Sequence, residues 1–181
     1  MHEPSSEPGT VRRMTERDLE LVLGWRNHPQ VRAHMFTQHE ISIEEHIRWF
    51  AAASKDDLQH VLIFETGGEP QGYAHLSLLA DRTVANWGFY LSPAAPRGSG
   101  KWLGGATLEH AFRNLRLHKV CGQALAKNSR SISMHLALGF KPEGVWREQH
   151  FDGGAFHDVH CFGLLDHEWL GVDLPNLPTN D

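Results

Sequence analysis

The chain has little that would mark it for a polyanionic surface, an oxidising compartment or a bilayer. Its 17 basic residues are outnumbered by 22 acidic ones, a formal charge of -5. No broad attraction to DNA, RNA or anionic lipid follows, so nucleic-acid and membrane partners are not expected and any anionic ligand must be held locally. Only two cysteines are present, Cys121 and Cys161, far apart and outside any C-x-x-C pattern. That argues against a disulfide framework and fits a reducing compartment, so a cytoplasmic location is expected. No apolar run approaches the length of a membrane span, and "MHEPSSEPGT" lacks the basic start and apolar stretch of a leader, so export is not expected. The 14 histidines raise the question of a metal, yet H-E-x-x-H is absent. In the densest cluster, "HDVH" at 157–160, strand-like alternation would turn His157 away from Asp158 and His160. The histidines therefore read as surface or hydrogen-bonded groups, and no metal is expected.

What is present fits one α/β domain over 10–170, flanked by Pro-rich polar stretches at 1–9 and 171–181 that read as flexible tails. No internal repeat or low-complexity segment interrupts it. Thr15 with Asp18 opens a capped helix through Leu19, Val22 and Trp25 that ends near "NHP", where Pro29 discourages continuation. Ser42 with Glu45 opens a second, carrying Ile43, His46, Ile47, Trp49 and Phe50. "HVLIFE", "QGYAHLSLL" and "VANWGFYL" are short runs bounded by turn residues and predict an antiparallel meander. Leu108, Ala111, Phe112 and Leu115 recur at helical spacing, "KVCGQALA" follows as a strand, and Asn128 to Gly139 spans a further helix with Phe140 able to pack back across its end. Two strands flank the turn "FDGGAF". The order predicts a mixed, mostly antiparallel sheet flanked by helices.

"SPAAPRGSGKWLGG", residues 92–105, is the kind of glycine- and lysine-bearing turn that meets phosphate, and three ligands compete for it. A nucleotide P-loop fails twice: Ala95 holds the first glycine position, and Trp102 replaces the hydroxyl that would bind Mg²⁺. A dinucleotide fingerprint fails at Leu103, where the third glycine belongs, and the preceding strands are antiparallel. A pyrophosphate loop for an acyl carrier needs a strand, a turn with Arg97, small residues and a helix with free N-terminal amides. Gly98 and Gly100 would let the backbone approach, while Gly104 and Gly105 suggest something packed against the first helical turns. A glycine-rich surface turn without a ligand is the plain alternative.

That turn followed, one strand later, by "NSRSISMHLALGF" resembles the Gcn5-related N-acetyltransferase (GNAT) family. The resemblance implies a GNAT-like α/β fold and acetyl-CoA as cosubstrate. It places Arg97, Gly98, Ser99, Gly100, Lys101, Trp102 and Leu103 at the CoA pyrophosphate, Asn128 at the pantetheine arm, and Phe89 and Leu91 along the cofactor strand. His135 stands where the family often has a Tyr that protonates the departing thiolate, and Trp102 replaces a usual small residue. "VLGWRNHPQVRAHM", "ISIEEHIRWF", "NWGFYLSP" and "DVHCFGLLDHEW" are similar to the branch that acetylates the 4-amino group of a UDP-linked dideoxy sugar on the way to pseudaminic acid, a step of flagellin glycosylation.

Each site residue has a plain alternative. His135 serves either as a proton donor or as a half-exposed helix histidine. Asn128 is an N-cap that can also face the cofactor. Leu91 would offer a backbone N–H to the thioester oxygen if the ladder of "WGFYL" is broken there. Arg26, Asn27, His28, His46 and Tyr90 are assigned to the acceptor through the resemblance, with His46 also a candidate base; Trp49 reads as core. A UDP-amino sugar, acetyl-CoA and a possible homodimer are the expected partners. A protein N-terminus or polyamine as acceptor, or a non-catalytic CoA-binding module, are the alternatives.

Overall fold

Three of the strands come from the predicted meander, whose first hairpin turns through Gly67 and Gly68 at φ +58° and +79°, backbone that favours glycine. The computed structural model describes residues 9–171. The expected tails lie outside the described residues except for Gly9 and Gly171. Strands β1 (Thr10–Arg13), β2 (Gln59–Thr66), β3 (Glu69–Leu78), β4 (Val84–Leu91), β5 (Lys119–Leu125), β6 (Lys141–Phe151) and β7 (Phe156–Leu165) form one seven-stranded sheet, ordered β1-β2-β3-β4-β5-β7-β6. Every pairing is antiparallel except β4 with β5. Strand β1 was not legible in the sequence: four residues are too few for a period-two pattern.

Alternation along the strands sorts side chains to two faces. Val61, Ile63 and Tyr73 pack with Val22, Trp25 and Phe50 from α1 (Leu19–Asn27) and α3 (Ile43–Ala53). Leu62, Phe64, Leu76 and Trp87 pack on the other face with Leu103 and Leu108 of α4 (Ser99–Glu109) and with Leu138, just past the end of α5 (Ser129–Ala137). Between α1 and α3, Pro29 does not merely stop a helix. It occupies the first turn of the short α2 (Pro29–Arg32), where its missing N–H costs nothing. Ser42 caps α3 by accepting the Glu45 N–H at 3.1 Å, and Gly139 at φ +90° lets Phe140 N–H return to His135 O at 3.0 Å, both as the sequence predicts. Trp49 is a correction. It lies 38% exposed, stacked on His46 at 5.1 Å, because Phe50 and Ala53 take the core face of α3.

The parallel contact between β4 and β5 covers only Val84 to Asn86 against Lys119 to Cys121. Beyond it β4 continues along β3 to Leu91 and β5 along β7 to Leu125, so the sheet splits. The expected break in the β4 ladder at Leu91 is not there: the β3–β4 register runs without a shift from Leu78↔Ala85 to Gly72↔Leu91. The free donors arise from the split instead. Ser92 N–H donates to Gln71 O at 2.8 Å, which fixes the alternation and turns the N–H groups of Leu91 and Phe89 away from β3, toward the gap.

Ahead of α1, residues Glu16–Asp18 form a 3-10 turn whose Asp18 is buried. Its carboxylate accepts the Thr15 N–H at 2.8 Å and both Arg12 terminal nitrogens at 2.8 Å, and Arg12 also reaches Glu65 at 2.7 Å. The guanidinium holds the Asp18 carboxyl below its ordinary value. A depressed folded-state pKa stabilises the fold above the unfolded value, about 3.9, and that contribution is lost as pH falls through the folded one. Asp18→Ala is therefore expected to cost about 2 kcal/mol in urea unfolding at pH 7. The gap from the wild type should narrow steadily below about pH 4; a gap independent of pH would contradict the ion pair.

Candidate active site

The chain leaves β4 through a turn in which Ser92 Oγ accepts the Ala94 N–H and Ser99 Oγ donates to Pro96 O at 2.7 Å. Gly98, at φ +92°, sits at the N-terminus of α4 in left-handed backbone, a conformation costly for any residue with a Cβ. Among the described residues, the N–H groups of Gly98 and Gly100 find no backbone acceptor, whereas those of Ser99 and Lys101 are taken by Pro96 O and Gly98 O. Arg97 and Lys101 are exposed beside them. The result is an 11-residue helix whose first turn presents free amides between two cations, an arrangement suited to a phosphate. Trp102 does not crowd this turn; it is half-buried against the core. The Leu103 side chain is fully buried core, with Cδ1 2.5 Å from where a Cβ on Gly72 would stand, so only its main chain is left to meet a ligand. Gly104 has a protein partner too: a Cβ there would meet Leu138 Cδ1 at 2.5 Å, so its bareness serves the packing of α4 against the end of α5.

Asn128 caps α5, its Oδ1 accepting the Ser131 N–H at 3.1 Å. One turn further on stands His135, and here the proton-donor expectation fails. The side chain is 1% exposed, not half-exposed. Nδ1 lies 2.7 Å from Ser131 O and so carries the proton, while Nε2 accepts from Trp87 Nε1 at 3.1 Å. Phe162 stacks on the ring at 4.8 Å and Phe140 meets it edge-on at 5.0 Å. Burial pushes its pKa down, with the Ser131 bond acting the other way. A neutral imidazole with both nitrogens engaged has no proton to give. It fills the vertex of the split, between Trp87 and Gly122, the first residues beyond the paired stretch; a Cβ on Gly122 would lie 2.3 Å from Nε2.

The opposite face holds the residues assigned to the acceptor. Arg26 is 9% exposed; Nη2 donates to Thr37 O at 2.6 Å and Nη1 has no partner. No carboxylate among the described residues pairs with it, and burial pulls its pKa down while nearby Tyr90 acts the other way. Tyr90 stacks on Tyr73 at 4.7 Å, and burial pushes both phenols up. His46 is 4% exposed with Nε2 unpartnered, and burial pushes its pKa down while a bond to the Leu19 main chain acts the other way. Asn27 uses its amide on both backbone groups of Ile41, at 2.8 and 2.9 Å, and His28 Nδ1 caps α2 through the Gln30 N–H at 3.3 Å. These bonds shape the loop between α1 and α3.

Three residues were missed. Gln38 Nε2 and His150 Nε2 are buried without partners, and Phe36 meets His150 edge-on at 5.3 Å, which brings the 33–41 loop against β6. His75 on β3 lies over Gly88 of β4. No sequence signal could have found them, since each depends on strand register or on a loop that crosses to a distant strand. Among the described residues no group of three or more His, Cys, Asp or Glu is placed to hold a metal, and His157 pairs with Asp152. No helix of the described residues is long and apolar enough to cross a membrane.

Residues 10–141 match the family model described as an acetyltransferase (GNAT) domain. The SPbeta prophage-derived uncharacterized N-acetyltransferase YokL of Bacillus subtilis is 36% identical over 92 residues, 49% of this chain, and the match spans about half, 52%, of that relative's length. Acetyltransferase PseH of Campylobacter jejuni is 22% identical over 122 residues, 67% of this chain and 76% of that protein. Among solved structures, a spermidine N-acetyltransferase from Vibrio cholerae in complex with CoA and spermine superposes with a TM-score of 0.83 over 91% of this chain and 99% of that one, at 21% identity.

Imidazole NMR tests the reassignment of His135. Its Nε2 is expected to show the shift of an unprotonated nitrogen at pH 6, where an ordinary histidine, with pKa about 6.5, is mostly imidazolium. A protonated Nε2 at pH 7 would restore the proton-donor reading.

Proposed function

The chain belongs to the acetyltransferase (GNAT) domain family, and from that premise we propose that it transfers the acetyl group of acetyl-CoA directly to an amine, the 4-amino group of a UDP-linked dideoxy sugar. Acetyl-CoA lies with its pyrophosphate on the amides of Gly98 and Gly100, and its pantetheine arm runs past Asn128 to the split between β4 and β5. There the N–H groups of Phe89 and Leu91 face the thioester oxygen, whose developing negative charge they stabilise. Acetyl passes straight to the amine without an acyl-enzyme. Burial raises both thiols, Cys121 and Cys161, above their ordinary value, which disfavours a thiolate nucleophile at neutral pH.

The observation that carries the acceptor is Arg26, buried beside Tyr90 with one nitrogen free and no carboxylate partner. A desolvated cation of this kind matches a phosphate and disfavours a polyamine. At about 4 Å and an effective dielectric of 20, an ammonium beside it costs roughly 4 kcal/mol. Of the carboxylates nearby, Glu40 pairs with Arg32, while Glu45 lies exposed beside His39 and acts on Arg26 only weakly beside the cost of its burial. The likeness to PseH agrees with the branch resemblance read from the sequence, and the spermidine N-acetyltransferase, at 21% identity, speaks for the fold.

Thiol release from acetyl-CoA in the presence of the UDP-4-amino sugar or of spermidine tests the acceptor. The sugar nucleotide is expected to be preferred, and Arg26→Ala to raise its KM by roughly 10- to 100-fold, the value of a hydrogen bond to a charged group, with CoA affinity unchanged. Higher kcat/KM on spermidine would overturn the assignment. In calorimetry, Gly100→Val is expected to weaken CoA binding more than Lys101→Ala, since an exposed cation adds about 1 kcal/mol or less. A valine side chain would obstruct the amides and press on Met134 Sδ, which stands 3.2 Å from a Cβ at that position. CoA affinity unaffected by Gly100→Val would remove the loop from the cofactor site.

A further inference from the structure

His75 is a histidine without a structural task. It pairs in register with Val61 of β2 and Gly88 of β4, on the face covered by α1 and α3. A Cβ on Gly88 would lie 2.3 Å from its Cε1, 3.0 Å from Nδ1 and 3.1 Å from Nε2. The imidazole therefore leans across the β4 main chain, and both nitrogens stand where any other residue would place a side chain. Gly88 is two residues past Asn86, where β4 and β5 part, and lies between Trp87 and Phe89. Trp87 itself points to the opposite face, the one carrying α4 and its free amides. The Gly88 main chain that His75 covers thus separates the α4 face from the α1 and α3 face just beyond the split. The ring also lines a cavity of about 190 Å³ with Trp49, Gln59, Tyr73 and Ser77. His46, the base considered from the sequence, lies on α3 stacked on Trp49, whose ring lies 6.1 Å from that of Tyr73.

We propose that His75 is the general base that takes the proton from the incoming amine. The inference rests on acetyl transfer to an amine as proposed above. The amine arrives as an ammonium and gives one proton to a ring nitrogen of His75. Its lone pair then attacks the thioester carbonyl carbon, the N–C bond forms as the C–S bond breaks, and a second N–H proton leaves with the sulfur as CoA thiol. The imidazolium returns its proton to water. Burial alone, with no charged or hydrogen-bonding partner, lowers the pKa of His75 to about 4, so its lone pair is available at neutral pH. Negative charge on an acceptor bound beside Arg26 raises that value toward the working range.

Thiol release by wild type, His75→Gln and His75→Ala is measured with the UDP-4-amino sugar, a basic amine, and with hydroxylamine, whose nitrogen is already unprotonated at neutral pH. His75→Gln is expected to lower kcat on the basic amine about 100-fold, with KM and CoA affinity within about threefold and with hydroxylamine turnover largely retained; added imidazole should restore part of the rate of His75→Ala. Undiminished kcat, or equal losses on both amines without rescue, overturns the assignment of His75. Wild-type protein that releases no thiol with either amine overturns acetyl transfer itself.

Discussion

The site depends on where β4 and β5 stop pairing. After three residue pairs the strands part, and the side chains at the vertex keep them apart. His135 rises from α5 into a space that Gly122 leaves bare, accepts from Trp87 Nε1, donates to Ser131 O and is packed by Phe140 and Phe162. Every polar atom of that imidazole is satisfied, so its hydrogen bonds offset the desolvation of the neutral ring and hold the wedge rigid. The main-chain donors of Phe89 and Leu91 beyond it are directed into the gap rather than to a neighbouring strand.

The two faces of the split then acquire different electrostatics within an acidic protein. On the α4 side the positive potential is made of backbone: free amides at a helix N-terminus, opened by Gly98 and flanked by Arg97 and Lys101. On the α1 and α3 side it is a side chain, Arg26, held in place by one bond to Thr37 O and otherwise unpaired. Five buried side-chain nitrogens lack partners among the described residues, and four of them, on Arg26, Gln38, His46 and His150, belong to this second side. Each costs about 1–3 kcal/mol if it stays unsatisfied, a concentration that selects for a polar ligand.

Much of the architecture was legible because it rests on local chemistry. The Thr15, Ser42 and Asn128 signals, the Gly67–Gly68 hairpin and the Gly139 stop all depend on residues within one turn of each other. The glycine-bearing turn ahead of α4 was legible for the same reason, and the order of that turn and "NSRSISMHLALGF" pointed to the family that residues 10–141 match. Errors fell where a side chain's role is set across the sheet. Trp49 has core composition but lies off the core face of α3.

By itself the sequence determined most of the elements and their order, because caps, turns and periodicity are short-range properties, and the resemblance of its motifs pointed to the acetyltransferase family. Only the tertiary structure decided which histidine has a free lone pair and which does not. His135 stands four positions after Ser131, yet what distinguishes His135 from His75 is contact with Trp87 in one case and with bare Gly88 in the other. Those contacts follow from strand register and from the angle at which α5 meets the sheet, and a protonation state follows from the contacts.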